Sequence, residues 1–184
     1  MTAYVVSIAP DHVSIAADSA VYDTAEAERC GLADKVHYSA SAGGLMACTG
    51  NLHIVYDLLV MLLTGRAGDF DASADAIAER LPKIYDGKGA YADTFWLGWS
   101  PSRKRFAGHL LTSDGRNIEL PPGVYLQPPA VPTDGLRPAK ADHMALLRKQ
   151  RDVSESHIGG PCFLWRLDRV GLRVKRLGTL DKPA

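Results

Sequence analysis

A chain of 184 residues with 46% hydrophobic and 23% charged side chains has the make-up of one globular domain spanning 1–184, not of a disordered chain. Its 21 basic and 21 acidic residues cancel, which argues against a nucleic-acid partner, since phosphate contacts need a basic excess. The most apolar helical stretch, Leu52 to Leu63, is interrupted by His53 and Asp57 and is too short to span a bilayer, so no membrane partner is expected.

The opening MTAYVVSIAPDH has neither the basic start nor the cleavable small-residue site of a secretory signal. Cys30, Cys48 and Cys162 show no CxxC spacing and no even-numbered disulfide framework, so the chain reads as a cytoplasmic protein with free thiols. Residues 3–9 and His12 to Ala17 form two short apolar runs around a Pro10-Asp11 turn, which predicts a hairpin. The polar stretch 20–34 reads as an irregular surface excursion. A second hairpin follows, Lys35 to Ala40 and Leu45 to Thr49 around Gly43-Gly44.

From Leu52 onward, Val55, Leu58, Leu59, Leu62 and Leu63 share one helical face, with Asn51 as cap and Gly65 as stop. A second helix is predicted from Ser73 to Tyr85, Ser73 capping it and Pro82 disturbing its last turn. Strands return over Asp93 to Trp99, Arg105 to Leu111, Asn117 to Leu120 and Val124 to Leu126. A proline-rich loop covers 128–138, and a third helix is predicted from Ala139 to Arg151. A last hairpin joins Cys162 to Leu167 with Leu172 to Leu177. Hairpin blocks separated by helices predict an α+β fold, two antiparallel sheets covered by helices in a four-layer αββα sandwich whose second helical layer is shortened to one helix.

Chemistry concentrates near the start of the chain. Excision of Met1 before the small residue Thr2 would leave a hydroxyl and a free α-amine on one residue. An α-amine titrates near neutral pH and can take the hydroxyl proton, so an N-terminal threonine can act as its own general base and nucleophile. Lys35 could supply the positive neighbour that tunes this amine, and Asp18 could hold Lys35 in place and keep it charged. Gly50, where a strand runs into a helix, could present its N–H to an oxyanion. The six histidines lack metal-ligand spacing, and no cofactor or metal is expected. His157, beside the Gly159-Gly160 turn, could line a site, whereas Trp96, Trp99 and Trp165 read as core.

Thr2, Ala16-Ala17-Asp18, Lys35-Val36 and Ala47-Cys48-Thr49-Gly50 lie in one register, with separations from Thr2 of 16, 33 and 48 residues to Asp18, Lys35 and Gly50. In this the chain resembles the proteasome β-subunits and their bacterial HslV-type relatives, within the N-terminal nucleophile (Ntn) hydrolases. The resemblance covers residues 2 to 65 best. It implies the αββα fold, threonine amidohydrolase or peptidase chemistry on a peptide or small amide substrate, and assembly into homo-oligomeric rings. It also brings in Glu155, which stands where the family carries an aspartate, with Ser156 beside it as a supporting group.

The second half departs from the family pattern. Gln127-Pro128-Pro129 occupies the place of a Ser-Gly pair, and Ile158 replaces the serine before Gly159-Gly160. These departures carry the alternative reading, a catalytically inactive proteasome-like scaffold or assembly subunit.

Overall fold

The computed structural model describes residues 3–22, 29–49, 52–65, 67–84, 93–153 and 158–180. Strands β1 (Tyr4–Ile8) and β2 (His12–Asp18) form the first predicted hairpin, paired antiparallel from Tyr4 opposite Ala17 to Ile8 opposite Val13. Every residue of both strands is buried. A strand covered on both faces has no need of polar alternation, which explains the near-continuous apolar sequence.

After a short pair, β3 (Ala20–Tyr22) and β4 (Arg29–Leu32), come β5 (Val36–Ser39), β6 (Gly44–Cys48), α1 (Leu52–Leu63) and α2 (Phe70–Ile84). Four more strands follow: β7 (Thr94–Ser100), β8 (Arg105–Leu111), β9 (Asn117–Leu120) and β10 (Gly123–Gln127). A single 3-10 turn at Pro138–Lys140 precedes α3 (His143–Val153), and β11 (Gly160–Asp168) and β12 (Gly171–Leu180) close the fold.

The protein is therefore a mixed α+β structure. One five-stranded antiparallel sheet runs β10-β1-β2-β11-β12 and the other β5-β6-β7-β8-β9, with β3-β4 as a two-stranded annex. Strand periodicity sorts the side chains into three cores. Tyr4, Val6 and Ile15 from the first sheet meet Leu45, Phe95 and Leu97 from the second. The alternate residues Val5, Ala16 and Val124 pack with Leu146 and Leu147 of α3. On the second sheet, Met46, Trp96 and Leu111 pack with Leu58 of α1 and Phe70 and Ile77 of α2. No helix among the described residues is long and apolar enough to cross a membrane.

Three expectations need correction. The stretch 20–34 is not wholly irregular: β3 and β4 pair within it, anchored where the Ser19 carbonyl accepts from Ala33 N–H and the Gly159 carbonyl from Ala20 N–H. Helix α2 starts at Phe70, because Asp69 Oδ1 caps the N–H of Ala72 at 3.0 Å. Ser73 is instead buried in the first turn, its hydroxyl donating back to the Ala67 carbonyl at 3.2 Å. Helix α3 starts at His143 rather than Ala139, because Asp142 Oδ1 caps Ala145 N–H at 3.0 Å while Pro138 opens a separate turn. Asn51, expected to cap α1, lies outside the described residues.

Candidate functional site

The end of β2 delivers Asp18 to a point where three remote stretches of chain converge. Its carboxylate is almost fully buried, which requires that its charge be met by donors. Oδ1 accepts the Ala3 N–H at 3.0 Å, and Oδ2 accepts the Lys35 ammonium at 2.9 Å and the Gly159 N–H at 3.1 Å. Two backbone donors and one cation on one carboxylate make a charge-assisted junction stronger than three neutral bonds.

Lys35 precedes β5, and its side chain is only 10% exposed. Burial pulls its ammonium below the ordinary lysine range, a pull that the neighbouring Asp18 charge and hydrogen bond oppose without cancelling. Asp18 and Lys35 are thus in direct contact, and the larger influence on the lysine's proton is desolvation, which the sequence reading leaves out. The Tyr4 hydroxyl secures the backbone around the lysine, lying 2.8 Å from the Cys48 carbonyl oxygen and 3.3 Å from that of Lys35.

Of the six residues expected at the site, Asp18 and Lys35 are brought together, while Thr2, Gly50, Glu155 and Ser156 lie outside the described residues, as does His157. Their described neighbours flank the junction: Ala3, bonded to Thr2, and Gly159, beyond the 154–157 stretch, both donate to Asp18. Thr49, which precedes Gly50, exchanges bonds with Asp93: its N–H donates to the Asp93 carbonyl at 2.9 Å, and its hydroxyl oxygen accepts the Asp93 N–H at 3.1 Å. No protein-family model and no curated protein matches the chain.

The nearby thiols are poor nucleophiles. Cys48 is buried, accepts from the Thr94 hydroxyl at 3.2 Å, and burial pushes its pKa up to about 11. Cys162, opposite Asp18 in the β2–β11 register, is likewise pushed up by burial to about 11. At neutral pH both are protonated and unreactive. Among the described residues no three His, Cys, Asp or Glu side chains are grouped as metal ligands would be.

Sequence reasoning misses two members of this junction. Gly159 is 141 residues from Asp18, and nothing local marks its N–H as a donor. Tyr4 reads as one more apolar strand residue, because its period-2 position predicts core and not the reach of its hydroxyl.

Proposed function

We propose that the protein is an N-terminal threonine amidohydrolase of the proteasome-like Ntn type, cleaving an amide bond in a peptide or small acyl-amide. Its stacked sheets with outer helices are read here as the four-layer αββα sandwich of that class. The carrying observation is the Asp18 carboxylate, bound through one oxygen to the N–H of Ala3 and through the other to the Lys35 ammonium. The residue covalently joined to Thr2 is thereby tied to a buried cation, the neighbour that a threonine nucleophile requires.

In the proposed reaction, removal of Met1 frees the Thr2 amine, which takes the Thr2 hydroxyl proton as the oxygen attacks the substrate carbonyl. The Gly50 N–H, at the strand-to-helix junction, stabilises the oxyanion. Collapse breaks the C–N bond, the amine returns its proton to the leaving nitrogen, and an acyl ester on Thr2 remains. Water, activated by the same amine, hydrolyses the ester to a carboxylic acid and restores the hydroxyl. Lys35 acts electrostatically, its positive charge favouring the neutral amine and the alkoxide-like oxygen. Asp18 is a positioning residue, and Glu155 and Ser156 are supporting groups. The free thiols of Cys48 and Cys162 accord with a cytoplasmic setting, and the neutral net charge with homo-oligomer formation.

The test joins intact mass to a covalent probe. Loss of Met1, a β-lactone or epoxyketone adduct on Thr2, and abolition of amide hydrolysis in Thr2→Ala are expected. Retention of Met1 together with undiminished hydrolysis by Thr2→Ala would refute the proposal. The alternative, an inactive scaffold of the same fold, is favoured by one specific observation: Ile158, where the family carries a serine, is buried in the apolar core with Cys162. That reading predicts Met1 retained, no adduct and no hydrolysis in the unmodified chain.

A further inference from the structure

At the other end of the stacked sheets lies a second feature that the Asp18 junction does not use. Cys162 pairs with Asp18 at one end of β2 and Asp168 with His12 at the other. Six residues of strand separate the two poles, about 20 Å. There the β5–β6, β7–β8 and β11–β12 turns surround an open cleft of about 500 Å³, lined among others by Tyr38, Trp99, Phe106, Leu167 and Arg169. Its volume falls within the range of small-molecule sites.

The walls are aromatic. Trp99 and Phe106 meet edge to face with centroids 5.4 Å apart, and Tyr38 is 39% exposed. Over the Trp99 ring lies the Arg169 guanidinium, 4.8 Å from the centroid. The other charged residue of the lining, Asp168, is already engaged: it accepts from Arg173 and sits 3.6 Å from Arg166. Arg169 has no ion pair among the described residues, so its planar fork remains open for a bidentate anion beside an apolar floor.

We propose that this cleft binds a small carboxylate carried on an aromatic or apolar body, the carboxylate on Arg169 and the body against Trp99 and Phe106. The shape and charge argue for this class over a phosphate ester or polar sugar: the walls reward apolar burial, and a single unpaired guanidinium suits a single planar anion.

The experiment follows the indole N–H signals by NMR during titration with 3-phenylpropionate and, separately, its neutral amide. Trp96 is fully buried and serves as the internal reference. The acid is expected to shift the Trp99 signal with roughly millimolar affinity, and the amide to bind roughly tenfold more weakly. Arg169→Gln should bring the acid down to the level of the amide, and Arg169→Lys should retain part of the preference. Arg169 is an exposed turn residue, so these variants should keep the Trp96 signal in place. Thr2→Ala should bind the acid as well as the unmodified protein, which separates this inference from the proposed hydrolase. Equal binding of acid and amide, an unchanged preference in Arg169→Gln, or no movement of Trp99 would each overturn it.

Discussion

The hydroxyl of Tyr4, on the first sheet, donates to the carbonyl of Cys48, on the second, across 2.8 Å. The ring also meets Phe95 edge to face, so one side chain supplies both apolar contact and a polar tie between the sheets. The same oxygen stands 3.3 Å from the Lys35 carbonyl, which links the tie to the position of the lysine. Tyr4→Phe keeps the ring and removes the tie. It should lower stability by about 1–2 kcal/mol, read as a reduced urea midpoint at constant slope. A midpoint equal to that of the unmodified protein would show that the hydroxyl contributes nothing.

The buried Asp18–Lys35 pair should behave asymmetrically. Lys35→Met leaves the carboxylate buried with only the Ala3 and Gly159 N–H groups, and should cost about 3 kcal/mol. Asp18→Asn leaves an ammonium that can shed its proton, and should cost less. The double variant should recover part of the loss, a coupling measured by a double-mutant cycle. The pH dependence follows from linkage. The folded Lys35 pKa lies below the ordinary lysine value of 10.5, so between the two the unfolded chain binds more protons. Stability from this group therefore rises with pH across that alkaline window. The stability difference between the unmodified protein and Lys35→Met should grow in favour of the former as pH increases there. A flat difference would mean that burial does not perturb the lysine.

Local pattern carries far in this chain, and its failures have identifiable causes. The β1–β2 and β5–β6 hairpins were legible because apolar runs flank compact turns, and α1 because its apolar residues recur at helical spacing. The start of α2 was misplaced because Ser73 is a good cap by residue type; its hydroxyl is buried against the Ala67 carbonyl, and Asp69 caps the helix instead. The β3–β4 pair depends on Gly159, far along the chain, and a three-residue strand leaves no periodicity to read. At the candidate site, Asp18 and Lys35 were put together from their complementary charges and from the register of the family pattern, since they sit on separate hairpins of different sheets. The Gly159 donor and the net effect of burial on the lysine arise only when the β11 end of the first sheet closes over them.

Two strand glycines should differ in their tolerance of a methyl group. A Cβ on Gly98 would strike the Gly43 carbonyl oxygen, part of the backbone, and come within 2.6 Å of the Phe70 ring. A Cβ on Gly108 would strike the Ile8 side-chain end and lie 2.6 Å from Leu97 Cδ2, both ends of flexible chains. Overpacking costs are typically about 1–3 kcal/mol, and relief is easier where rotamers rather than backbone must move. Gly98→Ala should therefore lie at or above the upper end, and Gly108→Ala nearer the lower. Thermal unfolding of the two variants checks the order, and a less stable Gly108→Ala would reverse the argument.

His143 opens α3 and anchors it to the first sheet, with Nε2 3.1 Å from the Ser7 hydroxyl and 3.4 Å from that of Ser14. Burial holds its pKa below 6.5, a shift that the Ala141 carbonyl and the Asp142 charge oppose and that His12, on β2, reinforces. A cation at a helix N-terminus is also disfavoured by the helix dipole. The unfolded chain thus binds more protons between the folded value and 6.5, and stability from this group falls as pH drops through that window, levelling off below the folded pKa. Protonation places a cation in this buried site at the helix N-terminus, so the packing of α3 on Val5 and Ala16 should loosen first. Amide exchange across 143–153 should accelerate on mild acidification more than exchange in β7 and β8, once corrected for intrinsic rates. His143→Gln, which cannot take up the proton, should remove that difference. Uniform protection loss in both regions, or an unchanged response in His143→Gln, would assign the acid sensitivity elsewhere.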